Sequence, residues 1–149
     1  MKILLAVDGS ACSDAAVGEV ARRPWPEGSE IKIISVFEPP VMPAPEIWAL
    51  SDHYFQELER AGQEQARAIV ERAVKHFGAD RVKALNITTD VIKGYPKDVI
   101  IYEAEQWGAD LIVVGSHGYR GLTRLWLGSV SLAVASHAKC SVEIVRSRF

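Results

Sequence analysis

The sequence predicts a doubly wound, Rossmann-like α/β domain over residues 1–149, a five-stranded parallel sheet with helices on both faces. Three observations carry that expectation. Near-continuous apolar runs such as Lys2 to Val7, Ile31 to Phe37 and Leu111 to Val114 suit parallel strands covered on both sides. Segments with helical apolar spacing separate the strands in the order βαβαβαβαβ, and strands joined this way pair in parallel through right-handed crossovers. No internal repeat and no linker divides the 149 residues, a length that suits one domain with a sizeable core.

The first strand, Lys2 to Val7, is broken by Asp8-Gly9-Ser10. Ser10 or Ser13 can then cap a helix carrying Ala15, Ala16, Val17, Val20 and Ala21, which ends at Arg22-Arg23-Pro24. Ile31 to Phe37 is the second strand. Four of the seven prolines follow within Glu38 to Pro45, which excludes helix there and is long for a plain connector. The stretch Glu38 to Trp48 reads either as a flap or partner surface, or as an irregular connector packed by Met42 and Trp48. A long helix is expected from Ile47 to Phe77, with Leu50, Tyr54, Leu58, Ala61, Ala68, Ile69, Ala73, Val74 and Phe77 as its apolar positions and Glu57, Glu59, Glu64 and Glu71 on its solvated face. Leu85, Ile87, Thr89 and Val91 alternate with polar residues, as in an edge-like strand. Pro96 starts a helix with Val99, Ile100, Tyr102, Ala104 and Trp107 that stops at Gly108. Leu111 to Val114 is again a buried strand, a glycine-bearing loop and a helix ending near His137 follow, and Val142 to Val145 closes the sheet.

The composition narrows the function classes. An apolar content of 48%, a charged content of 24% and a formal net charge of −2 describe an ordinary globular chain. No long basic run supplies the footprint of a nucleic-acid or anionic-membrane binder. The apolar start ends at Asp8, short of a secretory signal, and no stretch approaches a membrane span. Cys12 and Cys140 lie far apart with no metal-ligand spacing, as expected of reduced thiols in the cytoplasm.

Ligands of such sheets bind beyond the carboxyl ends of the strands, where the strand order reverses. Gly115 stands at such an end. With Gly118 it brackets a tight turn in which a missing Cβ permits positive φ and close approach of backbone amides to an anion. Nine residues on, Gly128-Ser129 opens or continues a helix with Val130, Leu132, Ala133 and Val134. A helix start favours phosphate, and the Ser129 hydroxyl adds a donor. Leu122, Leu125 and Trp126 also have helical spacing, so the helix begins either at Gly128 or before it. Arg120 and Arg124, between the two halves, could reach a β- or γ-phosphate. His117, inside the loop, reads equally as a phosphate contact or a solvent-facing side chain.

These residues resemble the universal stress protein family along essentially the whole chain. The matching stretches are Ile3 to Ser10, Gly94-x-Pro96, Ala109 to Gly118 and Leu127 to Ser131, and the two-part motif Gly115-x2-Gly118-x9-Gly128-Ser129 is similar to that of the nucleotide-binding members. The resemblance implies ATP as ligand, often with Mg2+ or Mn2+ bridging its phosphates. It implies a pocket built by Ala6, Val7 and Asp8 at the end of the first strand, Asp8 near ribose and phosphates. Val36 would stand on the adenine side, and Gly115, Gly118, Arg120, Gly128, Ser129 and Val130 would form the phosphate and ribose segment. A homodimer paired through the C-terminal strand is implied as well, with Cys140 to Val145 as the edge to be covered. The bland alternative for Asp8 is a turn former in Asp-Gly-Ser.

Other chemistries lack their signatures. There is no GxxxxGK[ST] phosphate loop and no GxGxxG after the first strand. His53, His76 and His137 have no partners at ligand or triad spacing. No constellation plainly activates water or receives a phosphoryl group, so at most weak ATP hydrolysis is expected. The leading expectation is a cytosolic ATP-binding stress-response or signalling protein whose nucleotide state modulates conformation or partner binding. Its rivals are a slow ATPase or phosphotransferase and a nucleotide-free interaction module.

Overall fold

The computed structural model describes residues 1–40, 52–118 and 127–147. Its elements are β1 (Lys2–Ala6), α1 (Ala11–Arg22), β2 (Glu30–Phe37), α2 (Asp52–Lys75), α3 (Gly78–Ala84), β3 (Ile87–Lys93), α4 (Pro96–Trp107), β4 (Leu111–Gly115), α5 (Ser129–His137) and β5 (Ser141–Val145). The five strands pair in parallel in the order β3-β2-β1-β4-β5. The chain winds outward from β1 through β2 to β3, then returns to the other side of β1 for β4 and β5. The reversal opens a crevice at the carboxyl ends of β1 and β4.

Strand alternation divides the core in two. Ile3 and Leu5 of β1, Ile31 and Ile33 of β2 and Val113 of β4 face one side, against Ala16, Val17 and Val20 of α1 and Val70 and Ala73 of α2. Leu4, Ile34, Ile112 and Val114 face the other, against Ile100 and Ala104 of α4 and Val134 of α5. Each such branched side chain, fully buried, contributes about 1.5–3 kcal/mol, which is why the central strands read as unbroken apolar runs. At the helix ends, Ser10 caps α1 by accepting from the Ser13 amide, and Gly108 closes α4 in the left-handed conformation at φ 69°. The Arg23 guanidinium reaches both carboxylate oxygens of Glu143 at 2.7 Å, tying the end of α1 to β5, and these bonds hold the guanidinium protonated against the opposing effect of burial.

Three expectations are corrected. The short helix α3 was not anticipated, and Leu85 is its buried C-cap rather than the first residue of a strand. Asn86, in the left-handed region at φ 43°, turns the chain before β3 begins at Ile87. On α2 the buried positions are Ala66, Val70 and Ala73, whereas Tyr54 and Leu58 are 45% and 43% exposed. The apolar stripe therefore covers only the second half of that helix. Of the proposed 38–48 segment, residues 41–48 lie outside the described residues, as do Leu50, Ile47 and the start assigned there to the long helix. No described helix is long and apolar enough to cross a membrane.

Candidate functional site

The turn after β1 is built by its own short polar side chains. Gly9 takes φ +80°, a conformation that favours glycine. Asp8 Oδ1 accepts from the Ser10 amide at 3.0 Å, and the Asp8 amide donates to Ser13 Oγ at 3.1 Å. Ser10 is the helix cap, and its hydroxyl also donates to the His117 carbonyl at 3.1 Å. Asp8 thus shapes the turn without capping the helix, and one serine joins that turn to the glycine loop.

The glycine loop follows β4 as expected, but its glycines act differently from the expectation. None of Gly115, Gly118 and Gly128 has a left-handed φ. What they supply is space. A Cβ on Gly115 would stand 2.7 Å from the Cys12 carbonyl carbon and the Ser13 amide nitrogen, one on Gly118 2.8 Å from Asp8 Oδ2, and one on Gly128 3.2 Å from the Ser116 carbonyl oxygen. At Gly115 the loop packs onto the first turn of α1 so closely that only hydrogen fits, while Gly118 faces the tip of a side chain and Gly128 the loop's own Ser116 carbonyl.

Ser116 then joins the two halves of the motif. Its amide donates to the Val145 carbonyl at 2.7 Å, while its carbonyl accepts from the Gly128 amide at 2.8 Å and lies 3.0 Å from the Ser131 hydroxyl. Helix α5 begins at Ser129 with Gly128 as N-cap, which settles the open question of its start. Gly128 offers no capping side chain, so the first-turn amides of α5 keep donors directed out of the helix end.

His117 turns Nδ1 to the Ser116 hydroxyl at 3.1 Å, and its Nε2 is buried with no partner among the described residues. Next to it, the Cys12 thiol at the start of α1 is pushed up by burial. Hydrogen bonding from the Ser116 hydroxyl, from Ser147 and from the His117 backbone outweighs that effect and brings its pKa from 9.0 to about 7. Burial moves the Cys140 thiol the other way, upward.

These parts surround a cavity of about 680 Å³ at the switch point. Ala6, Val7, Asp8, Val36, Gly115, Gly118, Gly128, Ser129 and Val130 all line it. Arg120 and Arg124 lie outside the described residues. One end, at β4 and α5, is polar and rich in backbone amides. The other, at β2, is walled by Ile34, Val36, Phe37, Pro96 and Ile100. Sequence reasoning missed the roof, where Gly62, Gln65, Ala66 and Ile69 of α2 lie over the crevice, and it missed Ser13, Ser35 and Ser131 in the walls. The one available signal was the pair of small residues Gly62 and Ala66, four apart in a helix, which lets a ligand or a strand end approach closely. Among the described residues no group of three or more metal-ligating side chains occurs.

The sequence profile of the universal stress protein family matches residues 1–146. The chain is 30% identical to the universal stress protein YxiE of Bacillus subtilis, over 97% of this chain and 98% of that one. Among solved structures, the universal stress protein UspA of Lactobacillus plantarum superposes with a TM-score of 0.74 at 27% identity, covering 98% of this chain and 97% of that one. A universal stress protein in complex with cAMP superposes with a TM-score of 0.67 at 25% identity, covering 99% and 98%. Profile, relative and structures agree with the motif and the strand order: the chain belongs to the universal stress protein family.

Proposed function

We propose that the protein binds an adenine nucleotide, ATP foremost, in the switch-point cavity, and that the bound nucleotide changes its conformation or its affinity for a partner in the cytoplasm. The observation that carries this reading is the polarity of the cavity along its length, with backbone amides of the glycine loop and of the α5 N-terminus at one end and apolar side chains at the other. Phosphates suit the first end, through free N–H groups and the helix dipole. A flat aromatic base suits the second, and about 680 Å³ lies within the range of pockets that enclose ligands of this size. In this reading Gly115, Gly118, Gly128, Ser129 and Val130 hold phosphates and ribose, Asp8 accepts from the sugar hydroxyls, Ala6 and Val7 form the floor, and Val36 faces the base. Arg120 would add charge to the phosphate end. The related protein in complex with cAMP supports the adenine class of ligand. A Mg2+ or Mn2+ would be held by the phosphates with Asp8 as the neighbouring carboxylate, since the described residues form no metal cage of their own.

The reading includes a homodimer. Among the described residues β5 pairs only with β4, so its other edge offers backbone groups that a second copy of the same strand can satisfy. Both cysteines are free, which suits a reducing compartment.

The test is direct. Protein incubated with ATP, desalted and then denatured should release an adenine nucleotide in near-equimolar amount, identified by chromatography. Recovery of no nucleotide, or equal retention of GTP when both are offered, would remove the adenine-nucleotide reading.

A further inference from the structure

Two side-chain nitrogens are buried without a hydrogen-bond partner among the described residues, Nε of Arg81 and Nε2 of His117. A buried polar atom left unpaired weakens the fold, and native proteins keep few of them without a reason. Arg81 stands on α3 away from the cavity, and its guanidinium already donates to the Arg23 carbonyl at 2.7 Å. His117 differs, because it lines the cavity. It lies between Gly115 and Gly118 in the glycine loop, and a Cβ on Gly128, the N-cap of α5, would stand 3.4 Å from its Cα. Its ring is held through one nitrogen, with Nδ1 at 3.1 Å from the Ser116 hydroxyl, and its carbonyl accepts from Ser10. Of the two readings open to His117 from sequence, phosphate contact and solvent-facing side chain, the burial of Nε2 removes the second.

We propose that His117 is a phosphate-contacting residue, whose Nε2 donates to a phosphoryl oxygen of the bound nucleotide. The inference rests on the nucleotide reading and deepens it. Position selects the phosphates. His117 adjoins the start of α5, where the first-turn amides and the helix dipole favour an anion. The apolar end that suits a base lies at β2, with β1 between. A phosphoryl oxygen only accepts, so Nε2 must carry a proton. A neutral ring does so when Nδ1 accepts from the Ser116 hydroxyl, and an imidazolium carries a proton on both nitrogens. Solvent does not reach Nε2, so the group able to complete its bonding is one that fills the cavity the ring lines. A charged oxygen forms the stronger kind of hydrogen bond there.

The experiment compares wild type, His117→Gln and His117→Asn in calorimetric titrations with ATP and with inorganic tripolyphosphate, and in thermal unfolding without ligand. The amide nitrogen of glutamine reaches the place of Nε2, and that of asparagine the place of Nδ1. His117→Asn keeps a partner for Ser116 and loses the donor. It should bind ATP and tripolyphosphate each about 10- to 100-fold more weakly, the range of one hydrogen bond to a charged group. His117→Gln should bind both ligands much as wild type does, and both variants should melt near wild type. Wild-type affinities in His117→Asn would overturn the assignment while leaving the nucleotide reading intact. So would loss for ATP with tripolyphosphate unaffected, which would put the contact away from the phosphates. Weaker binding in His117→Gln than in His117→Asn would overturn it by making the ring a support for Ser116 through Nδ1. Equal loss in both variants would overturn it too, and a lowered melting temperature would then identify the ring as structural. A wild type that binds no ATP would defeat the nucleotide reading itself, a result distinct from the others.

Discussion

The glycines of the motif separate by what their missing side chains would strike. At Gly115 the obstacle is the backbone of Cys12 and Ser13, which cannot move without shifting α1. Gly115→Ala should cost about 1–3 kcal/mol as an overpacking change, read as a lower denaturant midpoint. At Gly118 the obstacle is Asp8 Oδ2, the tip of a side chain that can rotate. Gly118→Ala should leave the midpoint nearly unchanged and weaken ATP binding by displacing that carboxylate. Equal stability losses in the two variants would contradict this division. Cys12 gives a second outcome. Its alkylation by iodoacetamide should rise with pH through a midpoint at about 7, while Cys140, whose thiol is held up by burial, reacts only at higher pH. Because the folded Cys12 pKa lies below its unfolded value of 9.0, this group favours the folded state above pH 9, and the contribution fades as pH falls to about 7. A Cys12 rate still climbing beyond pH 9 would contradict the hydrogen-bond account. At this scale the sequence announced which residues meet, since Asp8 and Gly115 follow or end strands, Gly118 lies in the loop after β4 and Gly128 precedes a helix. It did not announce why they are glycine. Positive φ was the expectation, and close packing is the finding, at Gly115 against α1 and at Gly118 against Asp8, because contacts between residues more than a hundred positions apart leave no local trace.

Among elements, α1 shows how a local signal becomes a long-range one. Ser10 was readable as a possible cap from Asp-Gly-Ser before an apolar helix. Its second bond, to the His117 carbonyl, depends on the sheet bringing β1 and β4 together. Ser10→Ala should therefore do two things. It should lower stability by about 1 kcal/mol, a melting shift of roughly 2–4 °C in a protein of this size. It should also weaken ATP binding, since the glycine loop loses a tether; a variant with lowered melting but unchanged affinity would limit Ser10 to capping. Buried parallel strands and capped helices were legible because apolar runs, Pro96 and Gly108 are local signals. Helix α3 was not, because its seven residues bury none of their own side chains and so carry no apolar period. The apolar alternation that seemed to begin at Leu85 joined a helix cap to a strand across the left-handed Asn86. The roof of the cavity was equally hidden, since Gly62, Gln65 and Ala66 gain meaning only once α2 lies over the ends of β1 and β2.

For the whole molecule, strand order decides where the cavity lies. Only because β4 returns beside β1 do the glycine loop, Asp8 and Val36 border one cavity. Fold class followed from the alternation of strands and helices, and the location of the crevice followed from fold class. The same order leaves β5 at an edge. Light scattering on the eluting protein should give twice the chain mass of 16.4 kDa, and a mass of 16.4 kDa at all concentrations would remove the edge-pairing proposal. The central claim, that the switch-point cavity is an adenine-nucleotide site, is tested most directly by thermal unfolding against ATP concentration. A ligand bound only by the folded state adds about 2.7 kcal/mol at a hundred times its dissociation constant. The account predicts a melting temperature that climbs steadily with ATP and climbs less with GTP; a melting temperature indifferent to ATP at millimolar concentration would contradict it.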